Sequence, residues 1–158
     1  MTDSNLSDII RARLANPAGA IRLDVGCGRR KQGPEWLGID QDPESDADFK
    51  ADVFSVLGGF PDASVDELRA AHFLEHLDDV PRFVAEMTRV LKPGGKATII
   101  VPHFSNSLFY SDPTHKTAFG LYSFCYFSQS DLFLHQVPGY VRQPQLKLDA
   151  VHLNFKAS

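Results

Sequence analysis

The stretch that decides the fold is Ile21-Arg22-Leu23-Asp24-Val25-Gly26-Cys27-Gly28, followed at Trp36-Leu37-Gly38-Ile39-Asp40 by a second apolar run. A short run of apolar residues that ends abruptly in Gly-x-Gly reads as a buried strand closing on a tight turn. Glycine at 26 and 28 lets the backbone turn sharply and approach a ligand closely, because no Cβ stands in the way. Asp40 at the end of the second strand offers two acceptor oxygens, the chemistry that holds a pair of ribose hydroxyls.

Working outward, the pattern repeats. A third strand is predicted from residue 48, with Ala51-Asp52-Val53 as its end or the turn after it, a fourth from Val65 to Ala71, and a fifth from Ala97 to Val101. Asp78, Asp79 and Pro81 are start signals for a helix whose apolar face is Phe83, Val84, Met87, Val90 and Leu91, stopped by Pro93-Gly94-Gly95. Leu6, Ile9, Ile10 and Leu14 predict an N-terminal amphipathic helix stopped near Asn16, Pro17 and Gly19. Strands alternating with crossovers imply a parallel sheet covered on both sides, with ligands beyond the strands' carboxyl ends. Residues 103 to 133 are dense in Phe and Tyr and predict a loop-and-helix cap, and 145 to 155 alternate as one last strand.

Two nucleotide-type cofactors suit such a site. The dinucleotide fingerprint wants a third glycine at its sixth position and an acid about 20 residues later. Here that position is Lys31, and Asp40 comes too soon. The connection from Gly28 to Trp36 is also too short for a full helix carrying a pyrophosphate.

The ordered set Leu23 to Gly28, Leu37-Gly38-Ile39-Asp40, Ala51-Asp52-Val53, His72-Phe73-Leu74-Glu75-His76-Leu77 and Arg89 to Gly95 resembles the motifs of class I S-adenosylmethionine-dependent methyltransferases. The resemblance implies an α/β, Rossmann-like sheet of order 3-2-1-4-5, with S-adenosylmethionine as cofactor and S-adenosylhomocysteine as product. It places the cofactor among Asp24, Gly26, Cys27, Gly28, Lys31, Asp40, Gln41, Asp52, Val53, Ala71 and His72. Within that set it puts Gly26 and Gly28 against the methionine part, Asp40 on the ribose, and Asp52 and Val53 on the adenine. Asp24 would orient the glycine loop or the cofactor amine. The family's third glycine falls at Arg30 in this chain, and by charge alone Lys31 or Arg30 is a candidate to reach the cofactor carboxylate instead. Family members end their sheet with an antiparallel hairpin, where this chain offers one strand. Asp112-Pro113-Thr114-His115 further resembles a bacterial subgroup with this sequence in its cap, which suggests a small-molecule or glycan acceptor. His115 and His103 are the candidate bases for a hydroxyl acceptor, since imidazole titrates near neutrality.

The rest of the chain narrows the alternatives. With 158 residues the chain suits one domain, divided into an N-terminal helix (1–20), a cofactor-binding core (21–102) and a cap with the last strand (103–158). The net charge of −4, with no basic stripe, argues against nucleic acid as the substrate. No apolar run is long enough to span a bilayer, and the N-terminus is unlike a secretory signal, so a cytoplasmic protein is expected. Cys27 and Cys125 are expected as free thiols. His72-x-x-Glu75-His76 matches the H-x-x-E-H pattern of an inverted zinc protease, but it follows a strand inside another motif series and lacks a third ligand, so no metal is expected. Two other readings stand beside methyl transfer: a methyltransferase-fold binding or assembly module without turnover, and an NAD-dependent oxidoreductase. A dimer paired through the C-terminal strand would complete the sheet.

Overall fold

The computed structural model describes residues 3–15, 19–128, 132–135, 137–138 and 146–154. Its centre is a five-stranded sheet: β1 (Arg22–Val25), β2 (Trp36–Asp40), β3 (Phe49–Lys50), β4 (Val65–Ala71) and β5 (Leu91–Ile100). The spatial order is β3-β2-β1-β4-β5, and every neighbouring pair runs parallel. The Rossmann-like order 3-2-1-4-5 expected from the motifs is therefore the order observed. All strand carboxyl ends consequently face one edge of the sheet, and the loops that leave that edge carry the candidate residues.

Among the described residues, three α-helices accompany the sheet: α1 (Asp3–Leu14), α2 (Val53–Gly58) and α3 (Val80–Val90). α3 is capped by Asp79, whose carboxylate accepts from Arg82 N at 2.9 Å, and it buries Val80, Phe83, Val84, Met87 and Val90. These side chains join Leu23, Val25, Leu37, Ile39, Leu68 and Ala70 from the strands, Val56 and Leu57 from α2, and Ile10 from α1 in one core. Alternation along the strands sends Arg22, Asp24, Glu67 and Arg69 to the opposite face. There Arg22 Nε meets Glu67 at 3.3 Å and Arg69 Nη1 meets Asp24 at 2.9 Å. The sheet therefore has one apolar and one largely polar face, which explains why its strands read as short mixed runs.

Several expected boundaries move. Of the two readings of Ala51-Asp52-Val53, strand end or the turn after it, the turn holds: β3 stops at Lys50, and Asp52 caps α2, a helix too short to show a sequence period, by accepting from Phe54 N and Ser55 N. α3 stops at Val90, before Pro93, and Leu91 already pairs with Val65 as the first residue of β5. An irregular register then absorbs Lys92 to Gly95, with Gly94 at φ +79°, where a left-handed backbone suits glycine. The predicted last strand does not form within 146–154, where Leu146 makes a single bridge to Ser128. Alternation creates an apolar side, but a strand also needs a continuous ladder of partner backbone groups, and among the described residues this segment makes one isolated bridge. Gln145, Phe155, Asn16 and Pro17 lie outside the described residues. Among the described residues, no helix is long and apolar enough to cross a membrane.

Candidate functional site

The turn after β1 is left-handed at both of its glycines, φ +66° at Gly26 and +55° at Gly28. Gly26 N donates to Ile39 O at 2.8 Å, holding the turn against the end of β2. Gly28 N donates to Asp40 Oδ2 at 2.8 Å, and Asp42 N donates to Asp40 Oδ1 at 2.9 Å. Asp40 is thus oriented by two backbone amides while each oxygen keeps further acceptor capacity. A Cβ built on Gly28 meets nothing within 4 Å, so the loop presents open space at that point.

Beneath the turn, Asp24 is completely buried. Its Oδ2 accepts from Gln32 N at 2.8 Å and its Oδ1 from Arg69 Nη1 at 2.9 Å. The carboxylate therefore ties the loop after β1 to β4. Lys31 Nζ lies 2.8 Å from Asp48 Oδ2, which also accepts from Gly38 N at 2.8 Å. Cys27 packs its sulfur against Gly38, and burial, reinforced by Asp24 and Asp40, pushes its thiol up to about 11. It behaves as a neutral space-filler. Gln41 is exposed beside Asp40.

At the ends of β3 and β4, Asp52 Oδ1 is the acceptor that caps α2, and Val53 turns its side chain into the core. His72 follows Ala71 with φ +53°, an unusual conformation for a non-glycine residue, and its amide donates to Ile100 O at 2.8 Å. Its side chain is exposed. Phe73, next in sequence, packs directly on Gly26.

The cap segment docks on this same turn. Lys116 N and Thr117 N donate to Glu75 O at 2.7 and 3.1 Å, and Lys116 Nζ meets Asp78 at 2.7 Å. Thr117 Oγ1 donates to Leu77 O at 3.2 Å. Asp112-Pro113-Thr114-His115 is thereby laid across Glu75 and His76, with the His76 and His115 rings 4.8 Å apart. The H-x-x-E-H residues lie on a positive-φ turn and a short 3-10 segment, Leu74–His76, so His72 and His76 do not share an α-helical face.

The two candidate bases differ in tautomer. His115 Nδ1 faces Phe109 O at 2.8 Å, and a carbonyl can only accept, so this nitrogen carries the proton and Nε2 keeps its lone pair when the ring is neutral. His103 Nδ1 accepts from Ser105 N at 3.3 Å and contacts Ser105 Oγ at 2.8 Å, which leaves its proton on Nε2. In their neutral forms, His115 presents a base at Nε2 and His103 a donor. Arg69 and Asp48, which brace the site, carry no signal in the sequence beyond ordinary strand and loop positions, and Phe73 stands in a quoted motif without a role of its own.

Against known proteins, residues 23–99 match the family model described as a methyltransferase domain. An uncharacterized methyltransferase of Mycobacterium sp. strain KMS is 32% identical across 52% of this chain and 39% of its own length. A probable S-adenosylmethionine-dependent methyltransferase of Mycolicibacterium smegmatis is 31% identical across 61% of this chain and 44% of its own length. The chain spans roughly two-fifths of the length of these curated relatives. The crystal structure of a SAM-dependent methyltransferase from Archaeoglobus fulgidus superposes with a TM-score of 0.54 at 26% identity, covering 76% of this chain and 64% of that one. A sheet of order 3-2-1-4-5 with a glycine turn after β1 and a carboxylate after β2 is the Rossmann-like methyltransferase fold, and residues 23–99 match a methyltransferase domain built on it.

Proposed function

We propose that this chain binds S-adenosylmethionine at the carboxyl edge of its sheet and transfers the methyl group to a small-molecule or glycan acceptor held under the cap. One observation carries the reading: the left-handed Gly26–Gly28 turn is bonded through Gly28 N to Asp40, so the close-approach loop and the ribose-type acceptor act as one unit. The open space in front of Gly28 fits a bound group that a Cβ would obstruct. When bound, S-adenosylmethionine supplies an electrophilic methyl on a sulfonium, and orientation does much of the work of its transfer.

In this reading Asp40 holds the ribose, Gly26 to Gly28 approach the methionine part, and backbone at Asp52, Val53, Ala71 and His72 lines the adenine end. Asp24 supports the loop from below, and Lys31 acts through Asp48. Where the acceptor is a hydroxyl, His115 Nε2 is the cap nitrogen able to take its proton. The exposed faces of Phe104 and Tyr110 offer an apolar surface for a sugar ring or a comparable acceptor.

Calorimetric titration of the purified chain with S-adenosylmethionine, S-adenosylhomocysteine and NAD tests this. Binding of the two sulfur compounds alone is the expected result. Binding of NAD instead would replace the reading with an oxidoreductase, and binding of S-adenosylhomocysteine without turnover in an acceptor screen would leave a non-catalytic binding module.

A further inference from the structure

We propose that Glu75, His76 and His115 form a site for a divalent transition-metal ion of the zinc type, which clamps the turn after β4 to the cap. One ligand atom from each residue lies within 4.8 Å of the others. Zinc bonds of about 2.0–2.1 Å need these atoms drawn closer by roughly an ångström, a shift within reach of side chains on a turn and a loop.

Three features of the surroundings point to a cation. Glu75 is 1% exposed, and its Oε2 has no hydrogen-bond partner among the described residues. Its other oxygen is 3.4 Å from His72 Nδ1, on a ring that faces solvent. A buried carboxylate with so few partners is costly, and a bound cation removes the cost.

The histidines are held as ligands are held. His115 Nδ1 donates to the Phe109 carbonyl at 2.8 Å. His76 Nδ1 lies 2.9 Å from Thr114 Oγ1, whose hydroxyl donates to Asp112 Oδ1 at 2.6 Å, so His76 is the donor in that pair. Both rings therefore keep an Nε2 lone pair, in the outer-shell arrangement that orients metal-binding imidazoles. Asp112 Oδ2, 3.6 Å from His115 Nε2, is an oxygen donor beside the site. Two imidazoles and a carboxylate form a donor set that zinc accepts.

The third ligand that the H-x-x-E-H pattern lacks thus comes from the cap, and the site is distinct from the helical protease pattern. Occupancy uses the His115 Nε2 lone pair, so a metal-loaded chain takes no proton there. The inference is tested on binding alone and stands apart from the methyl-transfer reading.

The test is titration of the untagged, chelator-treated full chain with Co²⁺, read by visible absorption, followed by displacement with Zn²⁺ and by thermal melting. One Co²⁺ per chain with bands of a low-coordinate site, displaced by Zn²⁺, and a melting temperature raised by Zn²⁺ are expected. His115→Ala should weaken binding at least about 10-fold, and His152→Ala, at an exposed histidine elsewhere, should leave it unchanged. Glu75→Gln should act like His115→Ala; because Glu75 is buried, His76→Ala provides the same test if that variant does not fold. A Co²⁺ spectrum equal to that of the aqueous ion, or wild-type affinity in folded His115→Ala, overturns the proposal.

Discussion

The ring of Phe73 fills the space that a side chain on Gly26 would need: a Cβ built at residue 26 stands 2.6 Å from Phe73 Cδ2 and 2.8 Å from Phe73 Cβ. The contact joins the loop after β1 to the turn after β4, two parts of the edge where the candidate site lies. Gly26→Ala faces both this clash and a backbone at φ +66°. Strain and overpacking together are expected to cost roughly 2–4 kcal/mol, measured by urea unfolding. A change below about 0.5 kcal/mol would show that the loop relaxes without loss.

Asp24→Ala removes a buried carboxylate and strands Arg69 and the Gln32 amide. Breaking a fully buried pair costs about 3–5 kcal/mol, and because the Arg69 side chain is 24% exposed a smaller loss of about 2–3 kcal/mol is expected. Arg69→Ala combined with Asp24→Ala should destabilise by less than the sum of the single variants. Additive losses would mean that the two side chains act independently.

Asp40→Ala should weaken S-adenosylhomocysteine binding by about 1.5–3 kcal/mol, the range for hydrogen bonds to a charged group. Calorimetry on a variant shown to be folded gives the answer. Unchanged affinity removes Asp40 from the cofactor site and leaves it the loop-bracing role that its bond to Gly28 N already shows.

Cys27 makes the fold sensitive to alkali. Burial first, then Asp24 and Asp40, raises its thiol from 9.0 to about 11, so the folded chain keeps a proton that the unfolded chain has lost. The contribution is complete below pH 9.0 and falls as pH rises towards about 11. Urea midpoints over this window should drop more steeply in the wild type than in Cys27→Ala. Parallel profiles would show that Cys27 does not titrate differently on folding. Cys27 should also resist thiol reagents at neutral pH until the chain unfolds.

Much of the architecture was legible because its signals are local. Gly26 and Gly28 punctuate an apolar run, Asp79 and Pro81 open a helix, and Val65, Leu68 and Ala70 mark a strand; each depends on neighbours in the chain. α2 is not visible in the sequence because six residues, Val53–Gly58, are too few to display a helical period, and its one signal, Asp52, equally suits a ligand contact. Leu91 was assigned to the helix because its apolar spacing continued, whereas its backbone pairs with Val65. At 146–154 the alternation is there, but among the described residues the segment makes one isolated bridge, Leu146 to Ser128, and a hydrophobic pattern alone does not supply a ladder of hydrogen bonds.

The sequence by itself determined the strand-and-turn order, the glycine turn after β1 and the carboxylate at the end of β2, because propensity, capping and short-range spacing encode these locally. Only the tertiary structure decided that Asp24 pairs with Arg69, that Lys31 meets Asp48, and that the cap brings His115 to Glu75 and His76. Those pairings join residues far apart in the chain, and their geometry follows from how the sheet, the turn after β4 and the cap pack together.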